Sequence, residues 1–439
     1  MRTSFSIAQL NDPEIADANE ILRSCVHCGF CTATCPTYAL LGDELDSPRG
    51  RIYLIKDMLE HDRAASETDV QHIDRCLSCL SCMTTCPSGV NYMHLVDHAR
   101  RHIENTYRRK FLDRILRFFL GRVLPNSRLF NIAQFVGMFV RPVARILPGK
   151  LRVMVNLAKT RNIPNKVVTP IKKSSDGDIK FHVTLLTGCV QDGIDPAINQ
   201  ATVRLLTRLG CDVEIRQDVG CCGSLNHHLG QEGRALDLMK SNVTAWSRSD
   251  QEKKLDAIVV NASGCGTTLK DYGFILRNDP AYAEDAERIS NLSCDITEFL
   301  SRTGFSSHLS KTKELRVAYQ SPCSMQHGQK INQQPLALLR ECGFDVVEPA
   351  DSHLCCGSAG TFNVLQNELA DKLRDKKIAS LSALSPDIIA SGNIGCMTQL
   401  DTAGKQDMPC PIVHTVELID WATGGPMPSV LQGNESKFQ

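Results

Sequence analysis

The chain has 439 residues, of which 20 are cysteines, and its 49 basic side chains balance 49 acidic ones. This length allows two or three domains with ordinary cores, and the balanced charge gives no indication of a nucleic-acid partner. Hydrophobic residues make up 42% and charged residues 22%, near the average of soluble proteins. The sequence contains no uninterrupted apolar stretch of about 18 residues, so we expect no membrane-spanning helix.

The high cysteine content has two explanations, a secreted disulfide scaffold or metal and redox chemistry in a reducing compartment. The first twenty residues contain four acidic side chains and lack the apolar centre of a signal peptide. We therefore expect a cytoplasmic protein whose clustered cysteines bind metal or carry out redox chemistry.

Two cysteine runs with the same spacing begin the chain. Cys25, Cys28, Cys31 and Cys35 stand two, two and three residues apart before Pro36, and a second run repeats this pattern 51 residues later. The second run consists of Cys76, Cys79, Cys82 and Cys86, followed by Pro87.

This spacing is the one that ferredoxin-type proteins use for 4Fe-4S clusters, and the fourth cysteine of each run then binds the cluster of the other run. The spacing predicts two clusters with the following ligands: Cys25, Cys28, Cys31 and Cys86 for cluster 1, and Cys76, Cys79, Cys82 and Cys35 for cluster 2. Structural zinc is the alternative, but zinc sites seldom repeat four cysteines at this spacing.

Helical patterns surround both runs. Apolar residues recur at helical spacing between Ile52 and Leu59, and residues 91–110 form a second amphipathic pattern. We therefore expect residues 1–110 to form an all-helical module that carries the cysteines in its loops.

The following segment, residues 111–178, is predicted to be a basic amphipathic connector and linker. Residues 101–150, which include the first part of this segment, combine apolar side chains with many arginines and have almost no acidic residues. It is either a set of helices packed on the domains or a face for an anionic membrane or a partner subunit. Residues 160–178 are polar and proline-rich, which is typical of a linker.

The rest of the chain contains an internal repeat. The first cysteine of each copy stands 32 residues before a Cys-Cys-Gly doublet, and an aspartate stands nine residues before the last cysteine. The cysteines of the two copies are Cys189, Cys221, Cys222 and Cys265 in the first, and Cys323, Cys355, Cys356 and Cys396 in the second.

Each copy alternates β-branched runs with helical patterns, which predicts βα units on a parallel sheet. We place these two α/β domains at 179–305 and 306–425, with a tail at 426–439. Ligands of such sheets bind beyond the carboxyl ends of the strands, where the first and last cysteines of each copy fall. The overall prediction is an α+β multidomain fold with a helical module followed by two repeated α/β domains.

Each repeated cysteine set is a candidate for a metal site, because adjacent cysteines seldom pair and a doublet with two remote partners favours metal ligation. A further iron-sulfur cluster in one or both copies is the first interpretation, and zinc is a lesser alternative. The main alternative is the remnant of a lost or altered site. Four cysteines outside the repeat are predicted to be inert buried thiols, namely Cys211, Cys294, Cys342 and Cys410.

Three histidines near the repeated cysteines could tune a cluster or move protons, although ordinary polar or surface positions are the alternative. They are His227, His228 and His327. No G-x-G-x-x-G, Walker or G-x-S-x-G motif occurs, so we expect the flavin or nucleotide chemistry, and hence any organic substrate, to lie on another chain.

The pairing of two such runs with two doublet-cysteine repeats resembles the iron-sulfur subunits of flavoprotein dehydrogenases and of heterodisulfide reductase, whose repeats are called CCG or cysteine-rich domains. More narrowly, residues 21–60 and 74–92 are similar to the iron-sulfur subunit family of bacterial glycolate oxidase (glycolate dehydrogenase). The likeness extends to about residue 420.

The resemblance implies an electron-transfer subunit of an oxidoreductase complex. An FAD-containing subunit would oxidise glycolate to glyoxylate, a second flavoprotein-like subunit would accompany it, and this chain would pass electrons to membrane quinone or another acceptor. Peripheral contact with the cytoplasmic face of the inner membrane would then follow. Iron-sulfur subunits for lactate or glycerol-3-phosphate oxidation and a heterodisulfide-reductase-like thiol-disulfide catalyst are the alternatives.

The repeats depart from the heterodisulfide reductase pattern at one position. Those relatives close each copy with C-x-x-C, whereas Ala262 and Asn393 occupy the first of these positions here. The departure argues against ligation by five thiols and leaves a four-thiol site in each copy.

Overall fold

The computed structural model describes most of the chain. The described residues are 1–146, 149–157, 179–304, 315–403, 408 and 410–434. The predicted linker at 160–178 and the end of the predicted tail lie outside them.

The first part is helical, and residues 1–110 contain no strand, as predicted. Helix α5 begins where Ser47 accepts a hydrogen bond from the backbone N–H of Gly50 and Pro48 occupies the first turn. The helices are α1 (Ile7–Leu10), α2 (Pro13–Ser24), α3 (Phe30–Ala33), α4 (Pro36–Leu41), α5 (Pro48–Glu60), α6 (Glu67–Asp74), α7 (Ser81–Thr85) and α8 (Tyr92–Thr106), with a 3-10 turn at Glu44–Asp46.

This helical module has a core of its own, in which α2, α5, α6 and α8 meet. Leu22, Ile55, Ile73 and Leu95 are fully buried there, together with Cys25 and Cys76. Burial of four such side chains removes enough apolar surface from water to stabilise the module by several kcal/mol, at about 1.5–3 kcal/mol for each. The first cysteine of each run is thereby held against a rigid core.

Three helices follow, α9 (Phe111–Val123), α10 (Ser127–Val140) and α11 (Gly149–Leu157), with a 3-10 turn at Arg141–Ile146. They are packed on the domains, which is the first of the two alternatives for this segment. Arg109 and Arg117 are buried and pair with Asp74 at 2.6 and 2.7 Å. Among the described residues, no helix is long and apolar enough to cross a membrane.

Helix α9 is also tied to the first repeated domain. The Asn226 amide donates to the carbonyl of Gly121, and the Gln231 amide donates to the carbonyl of Arg117. A methyl group at Gly121 would overlap Gln231, so the absence of a side chain at this position lets the two elements approach.

The first repeated domain contains a four-stranded parallel sheet in the order β2-β1-β3-β4. Val183 of β1 is in register with Val213 of β2 and Ala257 of β3. Its elements are β1 (Phe181–Leu186), α12 (Gln191–Ile194), α13 (Pro196–Arg208), β2 (Cys211–Glu214), α14 (Ser224–His228), α15 (Glu232–Glu252), β3 (Ala257–Val260), α16 (Ser263–Lys270), α17 (Tyr272–Ile275), α18 (Ala283–Leu292), β4 (Ser293–Asp295) and α19 (Ile296–Thr303).

The second domain repeats this sheet in the order β6-β5-β7-β8, again parallel. Its elements are β5 (Arg316–Tyr319), α20 (Gln334–Glu341), β6 (Asp345–Val347), α21 (Phe362–Leu365), α22 (Asn367–Ser382), β7 (Ile388–Ser391), α23 (Ile394–Asp401), β8 (Ile412–His414) and α24 (Thr415–Ala422), with a π-helical turn at Ser324–Gly328 and a 3-10 turn at Ser429–Asn434.

The two sheets share one hydrophobic core. Val183 and Val259 from the first sheet and Val317 and Ile389 from the second belong to the same cluster of buried side chains. Arg204 on α13 also pairs across the boundary with buried Asp420 on α24, at 2.6 Å. The opposite face of the first sheet packs over the cysteines, with Leu186 and Val260 beside Cys189, Cys221 and Cys222.

Candidate metal centres

The two ferredoxin-type runs have the same backbone conformation. His27 and Ser78, each two residues after the first cysteine, have φ values of 58° and 51°. Gly29 and Leu80, each directly after the second cysteine, have φ values of 86° and 62°. Left-handed turns at non-glycine residues cost about 1–3 kcal/mol and persist where the surroundings require them. Both loops are therefore tightly curved and place their first three cysteines around a common centre.

The short helices that end the runs, α3 and α7, pack against each other. The Thr34 and Thr85 hydroxyls, each directly before the fourth cysteine, lie 3.1 Å apart. This near-symmetric contact carries Cys35 towards the second loop and Cys86 towards the first. A small cavity is accordingly lined by Cys25, Cys28, Cys31 and Cys86, and also by Cys82.

The second loop has polar groups around its sulfurs. The backbone N–H of Ser78 donates to Cys76 Sγ at 3.5 Å, and the Tyr92 hydroxyl lies 3.7 Å from the same sulfur. The guanidinium of buried Arg51 lies 3.9 Å from Cys35 Sγ. Such donors stabilise sulfur-bound negative charge and tune the metals that the sulfurs hold.

These thiols fit iron-sulfur clusters. The eight cysteines of the two ferredoxin-type runs are all free thiols and form no disulfide. Burial raises the pKa of Cys31 to about 11 and holds the pKa values of Cys79 and Cys82 well above the usual range. Thiolates so far from water need a cation to offset their charge, and bound iron supplies it.

The repeated cysteines also come together, one set in each domain. Cys189 Sγ lies 3.3 Å from Cys221 Sγ, and Cys222 contacts Cys265. The second domain repeats this geometry, with Cys323 Sγ 3.7 Å from Cys355 Sγ and with Cys356 in contact with Cys396. Hydrogen bonds from its neighbours hold the pKa of Cys221 well below the usual range. Four sulfurs per domain are thus close enough to share a metal centre.

Different residues occupy the first position of the closing C-x-x-C pattern in the two copies, Ala262 in the first and Asn393 in the second. Asn393 donates its side-chain amide to Cys396 Sγ at 3.3 Å, whereas Ala262 supplies no side-chain hydrogen bond. The second copy therefore keeps a polar contact to its last sulfur. The four outlying cysteines, Cys211, Cys294, Cys342 and Cys410, are all buried, as predicted.

The second ferredoxin-type loop packs directly on the second repeated domain. Leu77 and Cys79 share a cluster of buried side chains with Cys355. The Thr84 hydroxyl lies 2.8 Å from Nδ1 of His327, whose Nε2 lies 3.2 Å from the carbonyl of His353. His327 is buried, so the surface alternative for it is wrong, and it joins two cysteine-bearing elements.

His227 and His228 flank Asp97, a buried residue of α8. Asp97 Oδ1 lies 3.0 Å from His228 Nδ1, and Oδ2 lies 3.5 Å from His227 Nε2. Burial opposes ionisation of Asp97, but the two histidines hold its pKa well below the usual range. Burial likewise lowers the pKa of His227, and the Asp97 carboxylate outweighs it and raises that pKa. His227 and the Asp97 carboxylate therefore form an ion pair between α14 of the first repeated domain and α8 of the helical module.

A cavity of about 1430 Å³ lies between the two repeated domains and helices α9, α10 and α11. It is lined by all eight repeated cysteines, by Cys76, and by the group of Asp97, His227 and His228. Sequence reasoning did not find Asp97 or Arg51, because neither stands in a motif and each is placed only by contacts between distant segments.

The fold and these centres define an iron-sulfur protein with a two-cluster helical module and two cysteine-rich α/β domains. Family models agree: "4Fe-4S dicluster domain" matches residues 21–90, and "Cysteine-rich domain" matches residues 183–270 and 317–401. The chain is an electron-transfer subunit of an oxidoreductase by this architecture.

Known relatives show to which family of iron-sulfur proteins the chain belongs. The chain is 40% identical to the glycolate oxidase iron-sulfur subunit of Escherichia coli, over 96% of this chain and 99% of that protein. It is 31% identical to the probable glycolate oxidase iron-sulfur subunit of Bacillus subtilis, over 96% and 98%. Lactate utilization protein A of Bacillus licheniformis is 27% identical over 54% of this chain and 98% of that protein. The chain belongs to the glycolate oxidase iron-sulfur subunit family.

Proposed function

We propose that the chain takes electrons from an FAD-containing subunit that oxidises glycolate to glyoxylate, and carries them through its clusters to an acceptor. A second flavoprotein-like subunit completes the complex. The observation that carries the proposal is the position of the second cysteine run, which contacts the first run on one side and the second repeated domain on the other and so lines up three cysteine centres. We propose glycolate, and not lactate, as the substrate because the relatives that align with 96% of this chain are named for glycolate oxidase, whereas the lactate utilization protein aligns with 54%.

The ligand sets that we propose follow the exchanged arrangement. They are Cys25, Cys28, Cys31 and Cys86 for cluster 1, Cys76, Cys79, Cys82 and Cys35 for cluster 2, and the four repeated cysteines of each α/β domain for further iron-sulfur sites. When bound, such clusters supply one-electron transfer over a wide range of potentials. We also propose the domain boundaries predicted from the sequence, namely 1–110, 111–178, 179–305, 306–425 and 426–439.

Electrons are proposed to enter at cluster 1. Cys28 is exposed, and the neighbouring Val26 and Phe30 leave about two thirds of their surface in water. An exposed apolar patch beside a cluster suits the docking of an electron-donating partner. Cys79 then leads to Cys355 of the second repeated domain, so the route runs from the surface to the large cavity.

Substrate-dependent cluster reduction tests the proposal. The chain is co-expressed with the two flavoprotein subunits, purified anaerobically and mixed with glycolate, and its clusters are followed by EPR. We expect reduction with glycolate and little with lactate or glycerol 3-phosphate. Reduction by lactate in preference to glycolate would contradict the substrate, and turnover of a disulfide by this chain alone would favour a thiol-disulfide catalyst.

We further propose peripheral membrane contact through α9 and α10. Arg117 on the inner face of α9 is buried, while the outer faces of the two helices expose Phe118, Phe135 and Phe139 beside other arginines. An apolar face ringed by cations binds anionic lipid surfaces, at about 1 kcal/mol per basic residue near the surface.

Flotation with anionic liposomes measures this contact. We expect the full chain to float at low salt and to be released at high salt, and we expect the triple variant Arg114→Ser, Arg122→Ser, Arg128→Ser to lose flotation. Arg248→Ser, an exposed arginine of the first repeated domain, is the matched control and should float normally. Equal flotation of the triple variant and the wild type would contradict the proposed surface.

A further inference from the structure

In each repeated domain, one buried side chain holds the loop that carries the Cys-Cys-Gly doublet. In the first domain it is Asn242 on α15, whose amide donates to the carbonyl of Cys221 at 2.9 Å. In the second domain it is Lys377 on α22, whose ammonium donates to the carbonyls of Asp351 and Ser352 at 2.9 and 3.4 Å. Both side chains are almost fully buried, so each is part of the packing around its cysteine set.

These two side chains occupy equivalent positions in the two copies. The glycine of the first doublet, Gly223, lies against the carbonyl of Ala235 on α15. Gly357 of the second doublet lies in the same way against the carbonyl of Ala370 on α22. The buried amide and the buried lysine each stand seven residues, or about two helical turns, after that alanine. The second copy therefore has a cation where the first copy has a neutral amide.

The charge of Lys377 is held close to the second cysteine set and away from water. The side chain is 2% exposed and its partners are backbone carbonyls, while the Asp351 carboxylate accepts from the Ser380 hydroxyl. Burial lowers the pKa of Lys377, and the negative charges of Asp351 and of three cysteines oppose this shift. These cysteines are Cys356, Cys355 and Cys396, three of the four proposed ligands of the second domain.

A second difference between the copies has the same direction. The Asn393 amide donates to Cys396 Sγ at 3.3 Å, whereas Ala262 supplies no side-chain donor at the equivalent position of the first copy. Donors and cations near the sulfurs stabilise negative charge on the metals that the sulfurs hold. Both differences therefore favour negative charge at the second cysteine set over the first.

We propose that Lys377 raises the reduction potential of the iron-sulfur site in the second repeated domain above that of the site in the first, so that electrons from cluster 2 are held in the second domain. The inference rests on the proposed function, because it requires a redox-active site on the four cysteines of each copy. Reduction adds one electron and increases the negative charge of a site, and a buried cation favours this change. The electron comes from cluster 2, whose Cys79 packs against Cys355.

Redox titration of the anaerobically purified full chain, followed by EPR, tests the inference. The signals are assigned first, because Cys356→Ser should remove the signal of the second domain and Cys222→Ser that of the first. In the wild type, we expect the site of the second domain to be reduced at the higher potential. In Lys377→Met, the ratio of reduced to oxidised second site at a given potential should fall about tenfold, or about 59 mV for one electron, with the first site unchanged.

Three further variants separate charge from packing. Lys377→Arg keeps the charge and should retain most of the wild-type ratio. Lys377→Asn introduces the residue of the first copy, which can donate a hydrogen bond but has no charge, and should behave as Lys377→Met does. Lys376→Met removes the adjacent, exposed lysine of the same helix and should titrate like the wild type, because solvent screens that charge.

An unshifted second site in Lys377→Met with full iron content would overturn the inference. A wild type whose first site is reduced at the higher potential would also overturn it, and this measurement decides the question even if Lys377→Met does not fold. Chemical reductant and mediators set the potential, so the result is independent of glycolate. Absence of any signal from the repeated domains would reject the proposed ligand sets and the inference together, whereas two signals with unshifted potentials would reject the inference alone.

Discussion

Cys35→Ser is expected to remove about four irons per chain and to abolish the EPR signal of the cluster nucleated by Cys76, Cys79 and Cys82. The reason is the Thr34–Thr85 contact, which directs each fourth cysteine to the other run. A serine hydroxyl is a poor, hard ligand for iron in a thiolate site. Iron analysis with EPR of anaerobically purified protein measures the loss. The matching variant Cys86→Ser should remove the cluster of Cys25, Cys28 and Cys31 instead.

Double variants decide which cluster each change affects. Cys35→Ser combined with Cys79→Ser should lose no more iron than Cys79→Ser alone, whereas Cys35→Ser combined with Cys28→Ser should lose both clusters. This non-additivity is the signature of shared sites. Cys211→Ser, at a buried cysteine outside all sets, controls for thiol loss and should keep all iron. The reverse pattern of double variants would show that each run binds its own cluster.

Arg51→Met is expected to lower the midpoint potential of cluster 2 by about 100 mV. Arg51 is buried beside Cys35, and although burial opposes its charge, the nearby cysteines and Asp46 raise its pKa. A cation about 6–8 Å away contributes about 2–3 kcal/mol at an effective dielectric constant of about 20, which favours the reduced, more negative cluster. A redox titration followed by EPR measures the shift.

Two variants control this result. Arg51→Lys keeps the charge and should retain most of the potential. Arg49→Met removes a cation next to the first loop, but the Arg49 side chain is 34% exposed and solvent screens it, so the shift for cluster 1 should be smaller. A cluster 2 potential that is equal in Arg51→Met and the wild type would rule out Arg51 as a tuning residue.

The sequence predicted the cysteine chemistry well because ligand spacing is a local property. The helical module, the parallel sheets and the approach of Cys189 to Cys221 all follow from patterns in short segments. Strands β4 and β8 were not predicted: each has only three residues, and β4, Ser293–Asp295, contains no β-branched side chain. They become strands through pairing with β3 and β7.

The basic connector was harder to interpret from composition. Its composition was compatible with helices packed on the domains and with a basic outer face, and Arg117 is buried on Asp74 while Phe118 and Phe119 are exposed. The distant Asp74, Asn226 and Gln231 together determine which face of α9 turns inwards, and the sequence of α9 itself does not identify these partners.

The single core beneath both sheets makes the two cysteine-rich domains one cooperative unit. If the second domain unfolded, Val183 and Val259 of the first sheet would be exposed. If the first domain unfolded, Val317 and Ile389 of the second sheet would be exposed. Arg204 would also leave Asp420 as an unpaired buried charge. The two copies are therefore mutually dependent, and a chain cut between them is expected to work only if its fragments complement each other.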